Sequence, residues 1–281
     1  MTIEEYHSNE NIGSSKLRDF MKSPLVYRDK YVTKTHPDLN KEKSRSLILG
    51  QAFECLIDPN VIFSDLYYTI PENAPKKPTK TQINAKKPSE ETVKAIEWWE
   101  SFNNTVAGKI ELTHDEILKL DKMDENFNAN KTAVKLWDKC KMQATYTSEF
   151  KGVGVQCRFD GLIESEKHGI DLKTTSTPLE DFAKSVTLFR YDIQQAFYEG
   201  VFEMCEHEPM DKFSFIVCET IYPWRCQVIT LPDDVVFKAH ETMIASLKKL
   251  CTSIDSGIWE QHKSSTMLEF KQWQLKELGI N

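Results

Sequence analysis

Apolar residues recur at two different spacings along this chain, and the two spacings predict where helices and strands lie. Between residues 188 and 205 they follow one another three or four positions apart, which places them on one side of a helix. Between 144 and 174, and again between 212 and 231, they form short apolar runs bounded by glycine, proline or polar residues, a pattern typical of β-strands. The predicted helices are 14–24 (interrupted at Pro24), 44–57, 90–102, 113–126, 131–139, 178–186, 188–205 and 233–253. The predicted strands are 144–150, 155–163, 170–174, 212–220 and 225–231.

The order of these elements predicts an α/β (α+β) fold with a central mixed β-sheet flanked by helices. Helices come first, followed by three strands, two helices, two strands and a final helix. We expect one domain over residues 1–281, with a lysine- and proline-rich loop at about 73–89 and an inserted helical region at about 90–140.

Two carboxylates and one amine are predicted to meet on two neighbouring strands. Asp160 ends the run 153–160, and a short polar link returns the chain as a strand that carries Asp171 and Lys173. Because residues two apart in a strand share a face, Asp171 and Lys173 point one way and Leu172 points the other. Hard oxygen ligands of this kind suit Mg²⁺ or Mn²⁺. We therefore predict a metal site held by Asp160 and Asp171, with the backbone carbonyl of Leu172 as a further ligand.

Lys173 and Glu54 complete the predicted catalytic group. The amine of Lys173 would orient or deprotonate a water molecule and stabilise negative charge on a phosphoryl group. Glu54 lies in an otherwise apolar helix, and we predict it as an additional ligand or as an acid that positions water. Taken singly, a D-x-K triplet is most often a surface ion pair, and Glu54 is equally compatible with a solvated helix position. Together they favour a metal-dependent phosphodiesterase, because charged groups beside apolar strand residues require a partner or a metal.

The net charge of the chain limits the ways in which such an enzyme can bind nucleic acid. The chain has 36 Lys and Arg against 43 Asp and Glu, and its net charge of −7 argues against a broad basic surface that coats DNA. Local binding stays open, because residues 73–89 contain five lysines and no acid. This segment is interpreted either as a solvated loop or as a basic arm on a phosphate backbone.

Cysteine usage and hydropathy predict the compartment. The 281 residues, 40% of them hydrophobic, are enough to bury a sizeable core. The seven cysteines show no zinc or iron–sulfur spacing, and we expect them to be reduced thiols. The chain has no apolar run of membrane-spanning length and begins without the pattern of a signal peptide. We expect a cytoplasmic protein with no membrane partner.

Five segments, in this order, resemble the RecE-type branch of the PD-(D/E)xK nuclease superfamily, which comprises exonuclease VIII and its phage relatives and is related to lambda exonuclease. The core motif of the superfamily matches Asp160, Asp171 and Lys173. The five segments span nearly the whole chain, which makes the resemblance more specific than the short metal motif. They are 6–27 (with YH, IGSSKL and SPLVY), 50–59 (GQAFECLIDP), 157–160 (CRFD), 171–175 (DLKTT) and 190–198 (RYDIQQAFY).

The resemblance implies a Mg²⁺-dependent exonuclease, with Mn²⁺ as a substitute, that digests one strand of linear double-stranded DNA from its 5′ end. It implies processive release of mononucleotides and a 3′ overhang used in recombination. Relatives form rings of three or four subunits and work beside a single-strand annealing protein, so we expect a homo-oligomeric ring and such a partner. By the same resemblance, Ser15, Arg190, Tyr191 and Gln194 are expected near the DNA end or its 5′ phosphate.

Two positions depart from the family pattern. The RecE-type branch usually has histidine where this chain has Glu54, whereas glutamate is familiar there in the lambda-exonuclease branch, so a metal-capable group is retained. The strand before the first aspartate often begins with glutamate, but Gln143 occupies the nearest place here, and we leave it out of the predicted site. Two other functions stay open, namely an endonuclease or repair nuclease of the same superfamily and a catalytically silent module that binds DNA or a partner.

Overall fold

The computed structural model describes residues 3–259 and 270–279, and its elements follow the predicted order. The structure does not describe residues 1, 2, 260–269, 280 and 281, which the predicted domain 1–281 includes. It also does not describe the side chain of His7, which falls in the segment 6–27. Across the described ranges, no helix has the length and apolarity needed to cross a membrane. The helices are α1 (Ile3–Ser8), α2 (Ser14–Lys22), α3 (Pro24–Tyr27), α4 (Arg45–Ile57), α5 (Phe63–Leu66), α6 (Lys80–Ile83), α7 (Glu90–Thr105), α8 (His114–Ala129), α9 (Lys131–Trp137), α10 (Phe182–Phe189), α11 (Tyr191–Glu206), α12 (Asp233–Ser256) and α13 (Gln272–Glu277). The strands are β1 (Tyr67–Tyr68), β2 (Ile110–Glu111), β3 (Lys141–Phe150), β4 (Val153–Ile163), β5 (His168–Thr175), β6 (Lys212–Glu219) and β7 (Cys226–Ile229).

Strands β3 to β7 form one mixed sheet in the order β3-β4-β5-β6-β7, which confirms the predicted fold class. The pairs β3–β4, β4–β5 and β6–β7 are antiparallel, as short connections allow. The pair β5–β6 is parallel, and helices α10 and α11 make the long crossover that a parallel pair requires. Strands β1 and β2 form a separate two-stranded parallel pair.

An apolar core lies on each face of the sheet, and helices cover both. On one face α2, α11 and α12 pack against residues such as Phe159 and Phe215. On the other face α4, α8 and α9, the last two from the predicted inserted region, pack against Ile170 and Ile216. These four strand side chains are fully buried, and each contributes roughly 1.5–3 kcal/mol relative to an exposed position. The sheet that carries the predicted site is therefore held firmly from both sides.

Most predicted elements are confirmed, because their signals are local. Helix α4 begins after Ser44, whose hydroxyl accepts the backbone N–H of Leu47, and ends before Asp58-Pro59 as predicted. Helix α8 begins with a capping box of Thr113 and Glu116, at the start that was predicted for the helix 113–126. Such caps satisfy backbone donors that the first turn of a helix leaves free, so they can be recognised from the sequence alone.

The predicted break between the helices 178–186 and 188–205 is misplaced. Helix α10 continues to Phe189 and α11 begins at Tyr191, with the corner at Arg190 in the left-handed conformation (φ 54°, ψ 52°). Left-handed helix ends usually carry glycine or asparagine, so an arginine gives no sequence signal for a corner. As a result Leu188 and Phe189 stand at the tip of the corner, where they are exposed.

Part of the lysine- and proline-rich segment is attached to α7. The indole N–H of Trp99 donates to the carbonyl oxygen of Pro75 at 2.9 Å. The ammonium group of Lys77 lies 5.2 Å from the ring centroid of Trp99, and Thr79 caps the single turn α6. The segment therefore has local structure of its own, and tryptophan anchors its first part to the body of the protein.

Candidate active site

Asp160 and Asp171 lie where strands β4 and β5 stop pairing. The register between the strands extends to Gly161 opposite Ile170 and does not include the two aspartates. At this point the Asp160 carboxylate connects the strands instead, because its Oδ2 accepts the backbone N–H of Leu172 at 2.7 Å. Strand β4 continues to Ile163, so Asp160 lies inside the strand, in agreement with the predicted strand 155–163, although the apolar run 153–160 had placed it at an end. The carboxylate thus occupies the fork between two diverging strands.

Asp171 is almost fully buried and is held by two partners. Its Oδ1 accepts a hydrogen bond from the Gln194 side chain at 2.6 Å, and its Oδ2 forms an ion pair with the ammonium of Lys173. The predicted sharing of one strand face by Asp171 and Lys173 is therefore confirmed. Leu172 points to the opposite core, where it packs in the cluster that contains Ile170. Two fixed neighbours thus compensate part of the charge on Asp171.

The ammonium of Lys173 is held between carboxylates and an aromatic ring. It lies 4.9 Å from the ring centroid of Tyr191, within the range of a cation–π interaction. Burial by itself would lower the pKa of Lys173, but the carboxylates of Asp171 and Asp160 outweigh burial and raise that pKa. In this arrangement Lys173 is a positively charged group that can stabilise negative charge and orient water.

Glu54 reaches the same place from helix α4 through Gln143. The amide of Gln143 donates to Glu54 Oε1 at 2.6 Å, and its own oxygen accepts from Arg158 Nε at 2.7 Å. Gln143 has a positive φ of 54°, and it interrupts the β3–β4 register at the position opposite Asp160. Gln143 was not among the predicted site residues, yet it contacts Glu54 directly. The available signal was its place in the strand before the first aspartate, where the family pattern carries an acid.

Burial and neighbouring carboxylates raise the pKa values of Asp160 and Glu54. Burial raises the pKa of Asp160 well above its usual range, and the carboxylates of Asp171 and Glu54 raise it further. Burial also raises the pKa of Glu54, the amide of Gln143 opposes this, and the carboxylate of Asp171 adds to it. A single ammonium, that of Lys173, acts against both shifts. The site therefore holds an excess of negative charge that a bound cation would relieve.

The donor chemistry fits a hard divalent cation, although the acids do not form a ready-made cage. Carboxylate oxygens are the ligands that Mg²⁺ and Mn²⁺ prefer. Within residues 3–259 and 270–279, no three His, Cys, Asp or Glu side chains converge as a metal-binding group. The acids do not converge because other side chains occupy them. Asp171 contacts Lys173 and Gln194, and Glu54 contacts Gln143. A cation at this site has to compete with those partners.

A cavity of about 700 Å³, here called the catalytic cavity, opens beside this group. Glu54, Lys173 and Tyr191 line it, whereas Asp160 and Asp171 are not among its lining residues. Hydroxyl groups form much of the rest of its wall, and they can donate hydrogen bonds to phosphate oxygens. These hydroxyl residues are Ser46, Thr174, Thr175, Ser176, Thr177, Ser185 and Thr220.

The four residues predicted to contact DNA do not come together. Ser15 and Arg190 line a second cavity of about 470 Å³, here called the cationic cavity, together with Arg18 and Lys22. Tyr191 lines the catalytic cavity instead. Gln194 is only 6% exposed, and its side-chain amide donates to the Asp171 carboxylate, so it lies within the group of buried acids. Arg18 was missed, because an isolated arginine on an amphipathic helix has no distinguishing signal.

Comparisons with known proteins support the nuclease fold. The sequence profile of a family described as a PDDEXK-like domain of unknown function (DUF3799) matches residues 13–265. Among solved structures, the chain is similar to a candidate exonuclease from Eubacterium rectale, with a TM-score of 0.62 and 14% identity over 99% of this chain and 97% of that chain. A phage-related exonuclease from Haemophilus somnus has a TM-score of 0.31 and 16% identity over 66% of this chain and 92% of that chain. A comparison with curated proteins finds no match.

Proposed function

This chain belongs to the family of PDDEXK-like domains, within the PD-(D/E)xK nuclease superfamily, and we propose that it is a metal-dependent exodeoxyribonuclease for linear double-stranded DNA. One observation carries the proposal. Asp171 and Lys173 form a buried ion pair whose side chains are only 2% and 16% exposed, and Asp160 and Glu54 interact with it electrostatically from two other elements. An ordinary surface ion pair would have neither the burial nor the extra acids.

We propose that a divalent cation, Mg²⁺ with Mn²⁺ as a substitute, is held by Asp160, Asp171, the carbonyl oxygen of Leu172 and Glu54. Bound there, the cation would neutralise charge on the phosphoryl oxygens of the substrate. Binding would require Asp171 to give up part of its contact with Lys173, and Glu54 part of its contact with Gln143.

The chain's own side chains supply the rest of the chemistry. Lys173 carries a fixed positive charge at the cavity wall, where it would orient the attacking water and stabilise charge that develops on the phosphate. Gln194 and Gln143 hold Asp171 and Glu54 in position. The hydroxyl groups along the wall would hold the phosphate oxygens by donating hydrogen bonds.

We further propose the finer properties that the RecE-type resemblance implies. Digestion would run 5′ to 3′ and processively, give mononucleotides, and leave a 3′ overhang for recombination with a single-strand annealing partner. The chain would act as one nuclease domain in a cytoplasmic ring of three or four subunits. A closed ring retains DNA by topology, which would reconcile processivity with a net charge of −7.

The test is digestion of linear duplex DNA labelled at its 5′ or its 3′ end, with closed circular DNA as a control, in Mg²⁺, in Mn²⁺ and in EDTA. We expect early release of the 5′ label as a mononucleotide, intact circles, and no cleavage in EDTA. Asp171→Ala should remove the activity, whereas Asp181→Ala, an exposed acid outside the site, should retain it. Cut circles would point to an endonuclease, and intact DNA in both metals would point to a silent binding module.

A further inference from the structure

An apolar ridge, formed by Leu188 and Phe189 at the end of α10, separates the catalytic cavity from the cationic cavity. Both residues line both cavities. Their side chains are 71% and 50% exposed, so they form an accessible apolar surface between the two cavities. The ridge therefore adjoins the catalytic group on one side and several positive charges on the other.

The ridge is fixed by its surroundings. Arg190 turns the chain in the left-handed conformation directly after it. Arg18 of helix α2 donates one guanidinium hydrogen bond to the carbonyl oxygen of Phe189 at 2.7 Å and another to the Ser15 hydroxyl at 3.1 Å. A backbone that is tied to a neighbouring helix in this way presents its side chains in a defined position.

Phe189 is also the exposed end of a column of aromatic rings. Its ring stacks on Tyr191, with 5.6 Å between centroids and 29° between planes. Tyr191 stacks in turn on Phe182, with 5.9 Å between centroids and 27° between planes. Since the Lys173 ammonium lies against the ring of Tyr191, the column leads from the exposed ridge directly to the catalytic group.

We propose that Phe189, with Leu188 beside it, is a stacking platform for one unpaired nucleobase next to the phosphate that enters the catalytic cavity. This inference rests on the proposed function. Every base has a flat face that can extend an aromatic column, so such a platform binds without regard to sequence. Arg18 and Lys22 on the other side of the ridge provide positive charge for the adjoining backbone phosphates, whereas the guanidinium of Arg190 is paired with Asp192.

The platform also defines the form of DNA that the site accepts. A base inside a duplex already stacks on neighbours on both faces, so only a base at a DNA end or in a single strand can lie on Phe189. The platform therefore favours a DNA end whose first base is unpaired, because that base can turn onto Phe189 without giving up a pairing partner.

The experiment uses a duplex with a single unpaired 2-aminopurine at its 5′ end, titrated with the full-length protein in EDTA so that no strand is cut. Stacking of this base lowers its fluorescence. We expect a loss of fluorescence with the wild type and with Phe189→Trp, which keeps an aromatic face. With Phe189→Ala we expect no fluorescence loss and an affinity for this DNA about 5- to 150-fold lower. Phe237→Ala, an exposed phenylalanine of α12 that lines neither cavity, is the matched control and should behave as the wild type.

The outcomes separate the platform from the nuclease activity. A fluorescence loss that disappears only in Phe189→Ala supports the platform, even if the wild type does not cut DNA in Mg²⁺. A wild type that cuts DNA but gives the same fluorescence as Phe189→Ala overturns the platform and leaves the nuclease intact. Equal thermal unfolding of the three variants and the wild type would show that the differences do not arise from misfolding.

Discussion

The two cavities on either side of the Leu188–Phe189 ridge are built in different ways. The catalytic cavity rests on the sheet, and the charged groups of Lys173 and Glu54 in its wall are bound to particular neighbours, Asp171 and Gln143. The cationic cavity lies between helices, and its charges are more exposed: the Lys22 side chain is 73% exposed, and that of Arg190, which is paired with Asp192, is 39% exposed. Electrostatic interactions are strong in a buried site and weak, screened by salt, at an exposed one. The first cavity is therefore suited to chemistry and the second to reversible binding.

The largest effect is expected when the positive charge of Lys173 is removed from the wall of the catalytic cavity. Lys173→Met keeps the length of the side chain but removes the ammonium that would stabilise charge on the phosphate. We expect the rate constant for cleavage to fall by about 10²- to 10⁴-fold, the range for a lost acid–base group. Single-turnover digestion of labelled duplex measures it, and Lys238→Met on the exposed side of α12 is the matched control. A loss of less than about tenfold would remove Lys173 from the catalytic group.

A smaller effect is expected for the residue that only holds Asp171. Gln194→Leu removes the hydrogen bond to Asp171 Oδ1 but leaves the carboxylate in place. Loss of a partner that orients a metal ligand typically costs about 10- to 100-fold in metal affinity or activity. We expect the Mg²⁺ concentration for half-maximal rate to rise, while Gln194→Glu, which can still hydrogen-bond when protonated, recovers activity as the pH falls. An unchanged metal requirement would show that Gln194 has no positioning role.

The pH dependence of stability tests the excess of negative charge in the site. Because burial and the neighbouring acids raise the pKa of Asp160, the folded state binds that proton more tightly than the unfolded state does. The contribution of this group to the stability of the metal-free protein is therefore fully present below the ordinary carboxyl pKa and is lost as the pH rises through the raised value. Asp160→Asn cannot ionise, yet its amide oxygen can still accept the Leu172 N–H.

We therefore expect metal-free Asp160→Asn to unfold at a higher temperature than the wild type at pH 7, by about 2–4 °C for each 1 kcal/mol of relief. The difference should vanish at low pH, where Asp160 is protonated in both states. Mg²⁺ should raise the unfolding temperature of the wild type more than that of the variant, because only the wild type offers the full set of ligands. Calorimetry across pH, with and without Mg²⁺, measures both effects. Parallel curves for the two proteins would contradict the charge argument.

The smallest effect is expected for an exposed lysine of the cationic cavity, where DNA binding is the property that should change. Lys22→Gln in the cationic cavity should weaken DNA binding only a few-fold and reduce the slope of log affinity against log salt by about 1. The triple variant of Lys76, Lys77 and Lys80 to alanine should leave that slope unchanged, because these lysines line neither cavity. The opposite result, a slope that changes only in the triple variant, would assign DNA contact to the lysine-rich segment.

Much of the fold was predictable because its signals are local. The alternation of Asp171, Leu172 and Lys173 along one strand was enough to place the two charged groups on one face and leucine in the opposite core. The helix starts at Ser44 and Thr113 were recognisable for the same reason. The metal-motif residues could be named from the sequence, since their chemistry resides in their own side chains.

Tertiary packing alone determined which residues that are distant along the chain form hydrogen bonds in the site. Gln194 lies 23 positions after Asp171, and Gln143 lies 89 positions after Glu54, so no local pattern shows that these amides hold the acids. The left-handed corner at Arg190 likewise carries no glycine, and it is this corner that brings Phe189 between the two cavities. A side chain's chemistry and its strand or helix position follow from short-range preferences. Which buried groups must satisfy one another's hydrogen bonds and charges is settled only when the sheet and its covering helices come together.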